Sequence, residues 1–296
     1  MTKKNDFTED FTAYMKTSVD LTHLLTFLPW QFKMAKSTVK QSIEILEKEG
    51  APKNCFGPMT GSSIINIFHD GAWVTRAPGG KRITVGNDVD RMATEVEGRF
   101  SASVLGALHE AWEEYVKNLY PKMLRHLKDE IPIPNRERFH DKHTDWRSKH
   151  RTAEYFKEYA AWACFGDVKE PLKVFRKELD WSLVKMPYWL ADNNCVIEWM
   201  EVPRMLAFCR HCIVHNNGRV FEKSLKRYSP PQRHVIKSLM GKSMLGDDQR
   251  LLPPVKNADR FIEAMLSLAY GIYVLISNRC DLEVEFTPWK AKSAKV

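Results

Sequence analysis

The residue types best suited to chemistry lie in one short segment that begins at Arg210 and reads Arg-His-Cys-Ile-Val-His-Asn-Asn-Gly. If this segment is helical, Arg210, His211 and His215 fall within a sector of about 140°, because successive residues turn by about 100°. An imidazole can accept or donate a proton near neutral pH, and a guanidinium can stabilise negative charge on a phosphate. The Asn-Asn-Gly sequence after His215 tolerates the left-handed backbone that ends many helices. The segment therefore indicates a site for phosphate chemistry at a helix end.

This segment resembles the motif of HEPN domains, a family of helical domains that includes many metal-independent ribonucleases. The family motif is an Arg, a polar residue, about three variable positions and a His, and a common form continues with Asn-x-Gly. Arg210, His211 and His215 match it and Asn216 follows, although the family more often has Asn or Asp at the position of His211. A second similarity is Glu113 in the sequence Trp-Glu-Glu-Tyr, because family members often carry an acid at this position of an apolar helix.

The resemblance implies an activity and an assembly. It implies that Arg210, His215, His211 and Glu113 form the catalytic site of an endoribonuclease, in which Glu113 holds the Arg. The ribose 2′-hydroxyl would attack the phosphate and leave 2′,3′-cyclic phosphate and 5′-hydroxyl ends, so DNA would not react. The resemblance also implies RNA as the substrate, a homodimer with the site at its interface, and a toxin or antiviral role under the control of an antitoxin or another regulatory partner.

Two alternatives stay open for the same segment. Arg210 and His215 could be a surface pair at a helix end, with no chemical role. The chain could also be a HEPN module that binds RNA or a protein partner without cleaving anything. Cleavage of RNA that depends on His215 would separate catalysis from both alternatives.

A basic segment at 132–151 is the second candidate for contact with RNA. Phe139 and Trp146 interleave with its cations, as expected of a surface that follows a nucleic-acid backbone and stacks on its bases. A solvated loop of mixed charge is the alternative, because carboxylates lie in the same segment. The predicted RNA-binding residues are Arg136, Arg138, Lys142, Arg147 and, from the motif segment, Asn216.

The cysteines do not predict a metal site. Cys209 and Cys212 form one Cys-x-x-Cys pair, but a structural zinc normally needs a second pair at suitable spacing, and the sequence offers none. Small buried thiols explain this pair better. We therefore expect no metal and no other cofactor.

Composition limits the class of protein and its partners. The 296 residues carry a formal net charge of +8, and an excess of this size favours polyanionic partners. The N-terminal 20 residues are polar and lack the apolar core of a signal peptide, and no apolar run near the start is long enough to cross a bilayer. We therefore expect a cytoplasmic protein with reduced cysteines that does not bind membranes.

The elements that must position these residues are mainly helical. Helical spacing of apolar residues predicts helices over about 6–28, 29–49, 88–120, 152–165, 170–185, 194–215 and 257–277. Pro29 and Pro121 are expected to begin or end helices. Short β-prone runs at 64–68, 73–75 and 83–85 predict a small antiparallel meander.

The predicted fold class is mainly α, with a HEPN-like helical bundle and a small N-terminal antiparallel β-meander insertion. The predicted domains are an N-terminal helical and β elaboration over 1–87 and a HEPN-like helical domain over 88–296 that carries the Arg-x4-His motif.

Overall fold

A computed structural model describes residues 5–49, 65–69, 72–76, 85–131, 133–146, 152–164, 168–183, 197–242 and 249–285. These residues are mainly helical, as predicted. In chain order, the elements are α1 (Thr8–Lys48), β1 (Ile65–His69), β2 (Ala72–Arg76), α2 (Val85–His126), α3 (Arg136–Lys142), α4 (Ala153–Ala163), α5 (Lys169–Glu178), α6 (Glu201–Asn216), α7 (Glu222–Leu225), α8 (Pro230–Lys237), β3 (Met240–Lys242), β4 (Gln249–Leu251) and α9 (Val255–Arg279). Two short 3-10 turns lie at Thr144–Trp146 and Trp181–Leu183.

Helix α1 continues through Pro29, so the prediction of two separate helices over 6–28 and 29–49 is wrong. A proline inside a helix removes one backbone hydrogen bond, and contacts on either side of it must offset that loss. Before the proline, Leu25 is fully buried. After it, Lys36 and Lys40 both form ion pairs with Asp90 of α2, the second at 3.3 Å. Contacts to the rest of unit 2 thus lie on both sides of Pro29.

Helix α2 likewise continues through Pro121, where the sequence predicted its end. The residues beyond the proline explain why, because Met123 and Leu124 are fully buried and Leu127 nearly so. Burial of three large apolar side chains outweighs the missing hydrogen bond. The predicted apolar stripe of this helix is confirmed, and all of its members are buried: Val104, Leu105, Leu108, Trp112, Val116 and Leu119.

The chain forms two compact units. Unit 1 consists of Met1–Thr22, Leu105–Phe208 and Arg260–Val296, and unit 2 consists of His23–Val104 and Cys209–Asp259. Both units combine segments from each side of residue 87. The predicted domains over 1–87 and 88–296 therefore stay a prediction. Their boundary differs from the boundaries of the two units, which follow from contacts in space.

The core of unit 1 is built from long helices. Helix α9 buries the six residues predicted for its inner side: Phe261, Ile262, Met265, Leu268, Ala269 and Ile272. Tyr115 of α2 lies in the same core, and its hydroxyl donates to the backbone carbonyl of Ala269 at 2.9 Å. By length and composition α9 could cross a membrane, but 67% of its most apolar window is buried inside the protein. Burial of this extent is typical of a helix in the core of a globular protein.

The described residues of unit 2 include two small antiparallel pairs of strands. Strands β1 and β2 pair with Ile65 opposite Arg76, which confirms two strands of the predicted meander. The third predicted run is wrong at Val85, which begins α2, while positions 83 and 84 lie outside the described residues. Strands β3 and β4 pair with Met240 opposite Leu251. This second hairpin was not predicted, and it contacts the motif segment.

Candidate functional site

The motif segment forms the C-terminal half of α6 and the turn that ends this helix. Asn217 and Gly218 have positive φ angles of 50° and 76°, so the predicted left-handed termination is confirmed. The Gly218 N–H donates to the carbonyl of Cys212 at 2.8 Å, and the Arg219 N–H donates to the carbonyl of Asn216 at 2.9 Å. These bonds satisfy carbonyls that a helix end would otherwise leave open.

Two imidazoles lie next to each other on the last turns of α6. The ring centroids of His211 and His215 are 5.0 Å apart, and the ring planes are tilted by 45°. Both residues are exposed, whereas Arg210 is half-buried. The last turns of α6 therefore carry two exposed imidazoles and one half-buried guanidinium, all within unit 2.

Strand β4 holds the turn that follows the motif. The Leu251 N–H donates to the carbonyl of Gly218 at 2.8 Å, and the Val220 N–H donates to the carbonyl of Gln249 at 3.0 Å. Arg250, on the same strand, is only 7% exposed, and its Nη1 donates to the carbonyl of Asn217 at 3.3 Å. The end of α6 is thus fixed by backbone pairing and by a buried guanidinium.

Arg250 contributes to this site although no pattern in the sequence predicts it. It lies 33 residues from Asn217 in the chain, and no local pattern connects them. Only the pairing of the motif turn with β4 brings them together. Strand β4 has the sequence Gln-Arg-Leu, with no β-branched or aromatic residue, so no local signal predicts it.

The two cysteines of the motif helix face the interior, as expected. Cys209 and Cys212 are free thiols, at 0% and 1% exposure. Burial raises the pKa of Cys212 to about 11 and the pKa of Cys209 further still, with the neighbouring Cys212 adding to the effect on Cys209. Over the described parts of the chain, no cluster of three His, Cys, Asp or Glu side chains could hold a metal ion.

Glu113 lies on α2 in unit 1, whereas Arg210 lies in unit 2. The Glu113 side chain is 15% exposed, and its carboxylate lies 3.6 Å from the ammonium of Lys117, one helical turn away. The predicted ion pair between Glu113 and the motif Arg stays a prediction.

The predicted RNA-binding segment is partly helical and lies in unit 1. Arg136, Arg138 and Lys142 are exposed on α3, as a nucleic-acid contact requires. Phe139 is fully buried, with its ring centroid 5.5 Å from that of Tyr159, so its predicted role in base stacking is wrong. Packing against Tyr159 therefore places this aromatic on the core side of α3. Arg147 lies outside the described residues.

Comparison of the chain with protein-family models, with curated protein sequences and with solved structures found no match. The functional assignment therefore rests on the motif and on the geometry of the end of α6.

Proposed function

We propose that this protein is a metal-independent endoribonuclease of the HEPN type, with Arg210 and His215 as its principal catalytic residues. The observation that carries the proposal is the pair of exposed imidazoles, 5.0 Å apart between ring centroids, next to Arg210 at a helix end held by β4. Basic side chains near a helix C-terminus can serve the helix dipole alone, but that role does not call for two neighbouring imidazoles. A ribonuclease needs a base, an acid and a cation in one place.

The proposed reaction is an internal transfer of the phosphodiester. One imidazole removes the proton of the ribose 2′-hydroxyl, and the 2′-oxygen forms a bond to phosphorus. The bond from phosphorus to the 5′-oxygen of the next nucleotide breaks, and that oxygen leaves as a 5′-hydroxyl after it takes up a proton. The other product carries a 2′,3′-cyclic phosphate. No water and no metal enters this step.

In this reaction His215 and His211 each carry out one of the two proton transfers. The rings lie close enough to flank one phosphate, so that one acts as base while the other acts as acid. Arg210 stabilises the charge on the non-bridging oxygens, where its planar guanidinium can donate two parallel hydrogen bonds. Asn216 in the turn and the cations of α3 are the proposed contacts to the rest of the RNA.

The remaining parts of the proposal follow from the resemblance to HEPN domains. The helical core is a HEPN-like bundle, and two copies of the chain associate with their motif helices at the interface. Glu113 holds the motif Arg. The enzyme acts in the cytoplasm as a toxin or antiviral effector, and a partner protein controls it.

The test is cleavage of total RNA in EDTA by wild-type protein, His215→Ala and a matched control, His234→Ala. His234 is an exposed histidine on α8 in the same unit, outside the motif. We expect wild type and the control to cleave alike, and His215→Ala to be slower by about 10²- to 10⁴-fold, which is the usual contribution of a general acid or base. Equal cleavage by all three, or by none, would remove the catalytic assignment.

A non-catalytic RNA-binding protein is the second candidate, and the exposed cations of α3 favour it. It predicts that wild type and His215→Ala retain RNA equally and that neither cleaves it. The same assay, followed by measurement of retained RNA, therefore distinguishes the two functions.

A further inference from the structure

Unit 1 contains a cavity of about 680 Å³ that the proposed ribonuclease site does not use. Helix α1 contributes Asp10 to its wall, and α2 and α4 contribute the rest. Four cations line it against this one carboxylate: Lys117, Lys122, Arg125 and Lys157. The volume lies within the range of about 300–1,000 Å³ that is typical of small-molecule sites.

Two of these cations are already held by local acceptors. The ammonium of Lys122 lies 2.6 Å from the carboxylate of Asp10 and also donates to the backbone carbonyl of Asp6 at 2.8 Å. Arg125 forms an ion pair with the Asp6 carboxylate. The Asp10 side chain is 13% exposed, and burial raises its pKa, while Lys122 opposes that shift. The Asp10–Lys122 pair is therefore part of the packing between α1 and α2.

The other two cations, Lys117 and Lys157, have weaker ion pairs or none. Lys117 lies 3.6 Å from the Glu113 carboxylate, beyond hydrogen-bond range, and its side chain is 42% exposed. Lys157 is exposed and forms no ion pair within the described ranges of the chain. Asp6, Glu9 and Glu113 also act on these groups from outside the lining, so most of the lining charge is balanced locally. Lys157 is therefore the lining cation that remains available to an anionic ligand.

Apart from the amide of Asn118, the remaining wall is small and apolar. Pro121, Ala153 and Ala161 line it with short side chains, and Cys164 lies buried at the end of α4. Such a surface leaves room for a flat, weakly polar group, while the cations bind an anion beside it. This combination is typical of a site for a ligand with a charged end and an apolar end.

We infer that this cavity binds a nucleotide-sized phosphate ester, with its phosphate against Lys157 and Lys117 and its base or other apolar part against Pro121, Ala153 and Ala161. The site lies wholly in unit 1, whereas the Arg210–His215 pair lies in unit 2. Ligand binding here is therefore expected to be independent of the catalytic imidazoles.

The test is titration calorimetry with ATP, AMP and pyrophosphate in EDTA at low ionic strength, on the full chain. Wild type should bind ATP and AMP, and both should bind more tightly than pyrophosphate because only they can use the apolar wall. Lys157→Glu should weaken ATP binding by at least about tenfold through charge reversal beside the phosphate. The matched control is Lys128→Glu, which reverses an exposed cation outside the cavity and should leave affinity within about twofold.

Lys122 is unsuitable for this test, because its replacement would also break the pair with Asp10. Circular dichroism of Lys157→Glu confirms that the variant is folded. Absence of binding by all three probes, or equal ATP affinity in wild type and Lys157→Glu, would overturn the inference. Binding of an RNA oligonucleotide without binding of AMP or ATP would also overturn it, since the surface would then be a contact for RNA. His215→Ala should bind ATP as wild type does. Failure of the proposed RNA cleavage and failure of ATP binding in this cavity can therefore be distinguished.

Discussion

The guanidinium of Arg210 is half-buried near the end of α6, and two exposed imidazoles lie on the same turns of the helix. This difference in exposure fits a site in which the guanidinium keeps a fixed position and the imidazoles contact the substrate. A flexible ammonium would supply the charge at this point without the fixed geometry of a guanidinium. The chemistry of the site therefore depends on the identity of each side chain as well as on its charge.

We expect Arg210→Lys to lower kcat of RNA cleavage by about 10²-fold with a smaller effect on KM, because the planar fork acts mainly on transition-state charge. The matched control is Arg204→Lys, an exposed position on the same helix that pairs with Glu201 and should retain full activity. Steady-state kinetics on a defined RNA measures both constants. A variant that changes KM alone would assign Arg210 to substrate binding.

The burial of the two thiols of the motif helix leads to a second prediction about individual residues. With its pKa raised to about 11, Cys212 is roughly 0.1% thiolate at pH 8, and Cys209 is still less ionised. We expect both to resist iodoacetamide in the native protein and to react fully in denaturant, with peptide mass spectrometry as the readout. Rapid native modification of Cys212 would contradict its burial.

At the level of the elements, α2 lies in close contact with Leu252, the residue after β4, within unit 2. A Cβ added at Gly98 would lie 2.8 Å from the Cβ and 2.9 Å from the Cα of Leu252. Leu252 also donates from its N–H to the carbonyl of Leu239 at 2.9 Å, so its backbone cannot easily move away. Leu252 directly follows β4, the strand that holds the motif turn.

Gly98→Ala should therefore destabilise the protein by about 1–3 kcal/mol, as overpacking usually does, although Ala favours a helix by about 1 kcal/mol over Gly. Urea unfolding measures the free energy of unfolding. Ser103→Ala, at an exposed position of the same helix, is the control and should be neutral. A Gly98→Ala variant more stable than wild type would show that the contact with Leu252 is not close.

Helical spacing predicted most elements correctly, and the errors have a common physical origin. Pro29 and Pro121 lie inside helices because contacts distant in sequence offset the missing hydrogen bond. Apolar spacing in α1 also gave no indication of which face is buried, since Phe27 and Met34 are more than half exposed. Local patterns report what an element can bury, and tertiary contacts decide what it does bury.

For the candidate site, the positions within one helix were predictable from the sequence, but the contact from a distant strand was not. Arg210, His211 and His215 were placed on one helix end from spacing alone, and the left-handed turn after them followed from Asn and Gly. The contact from Arg250 could not be predicted, because it depends on the register between β4 and a turn 33 residues away in the chain. Phe139 was misplaced because alternation with cations along the sequence does not show which side chain the core will bury.

For the whole molecule, a net charge of +8 favours RNA, and the exposed cations of α3 are the proposed contact. Removal of one cation that neutralises a phosphate should reduce the slope of log affinity against log salt by about 0.7 for a single strand. Arg136→Ala with Arg138→Ala should therefore flatten the slope by about 1.4. Filter binding of an RNA oligonucleotide across a salt series provides the measurement.

The control is Lys173→Ala with Lys177→Ala on α5. These lysines are also exposed, but they lie 2.6 Å from Glu170 and 3.2 Å from Glu178, so their charge is already paired. This pair of substitutions should leave the slope nearly unchanged. An equal reduction in both double variants would assign RNA affinity to net charge and not to α3.

We propose that the end of α6 catalyses attack by the ribose 2′-hydroxyl. The most direct measurement is the chemistry of the product ends, determined by mass spectrometry after incubation of RNA in EDTA with wild type and with His215→Ala. We predict 2′,3′-cyclic phosphate and 5′-hydroxyl ends with wild type, and their disappearance with His215→Ala. Ends with 3′-hydroxyl and 5′-phosphate, or cyclic phosphates at equal yield from both proteins, would contradict the claim.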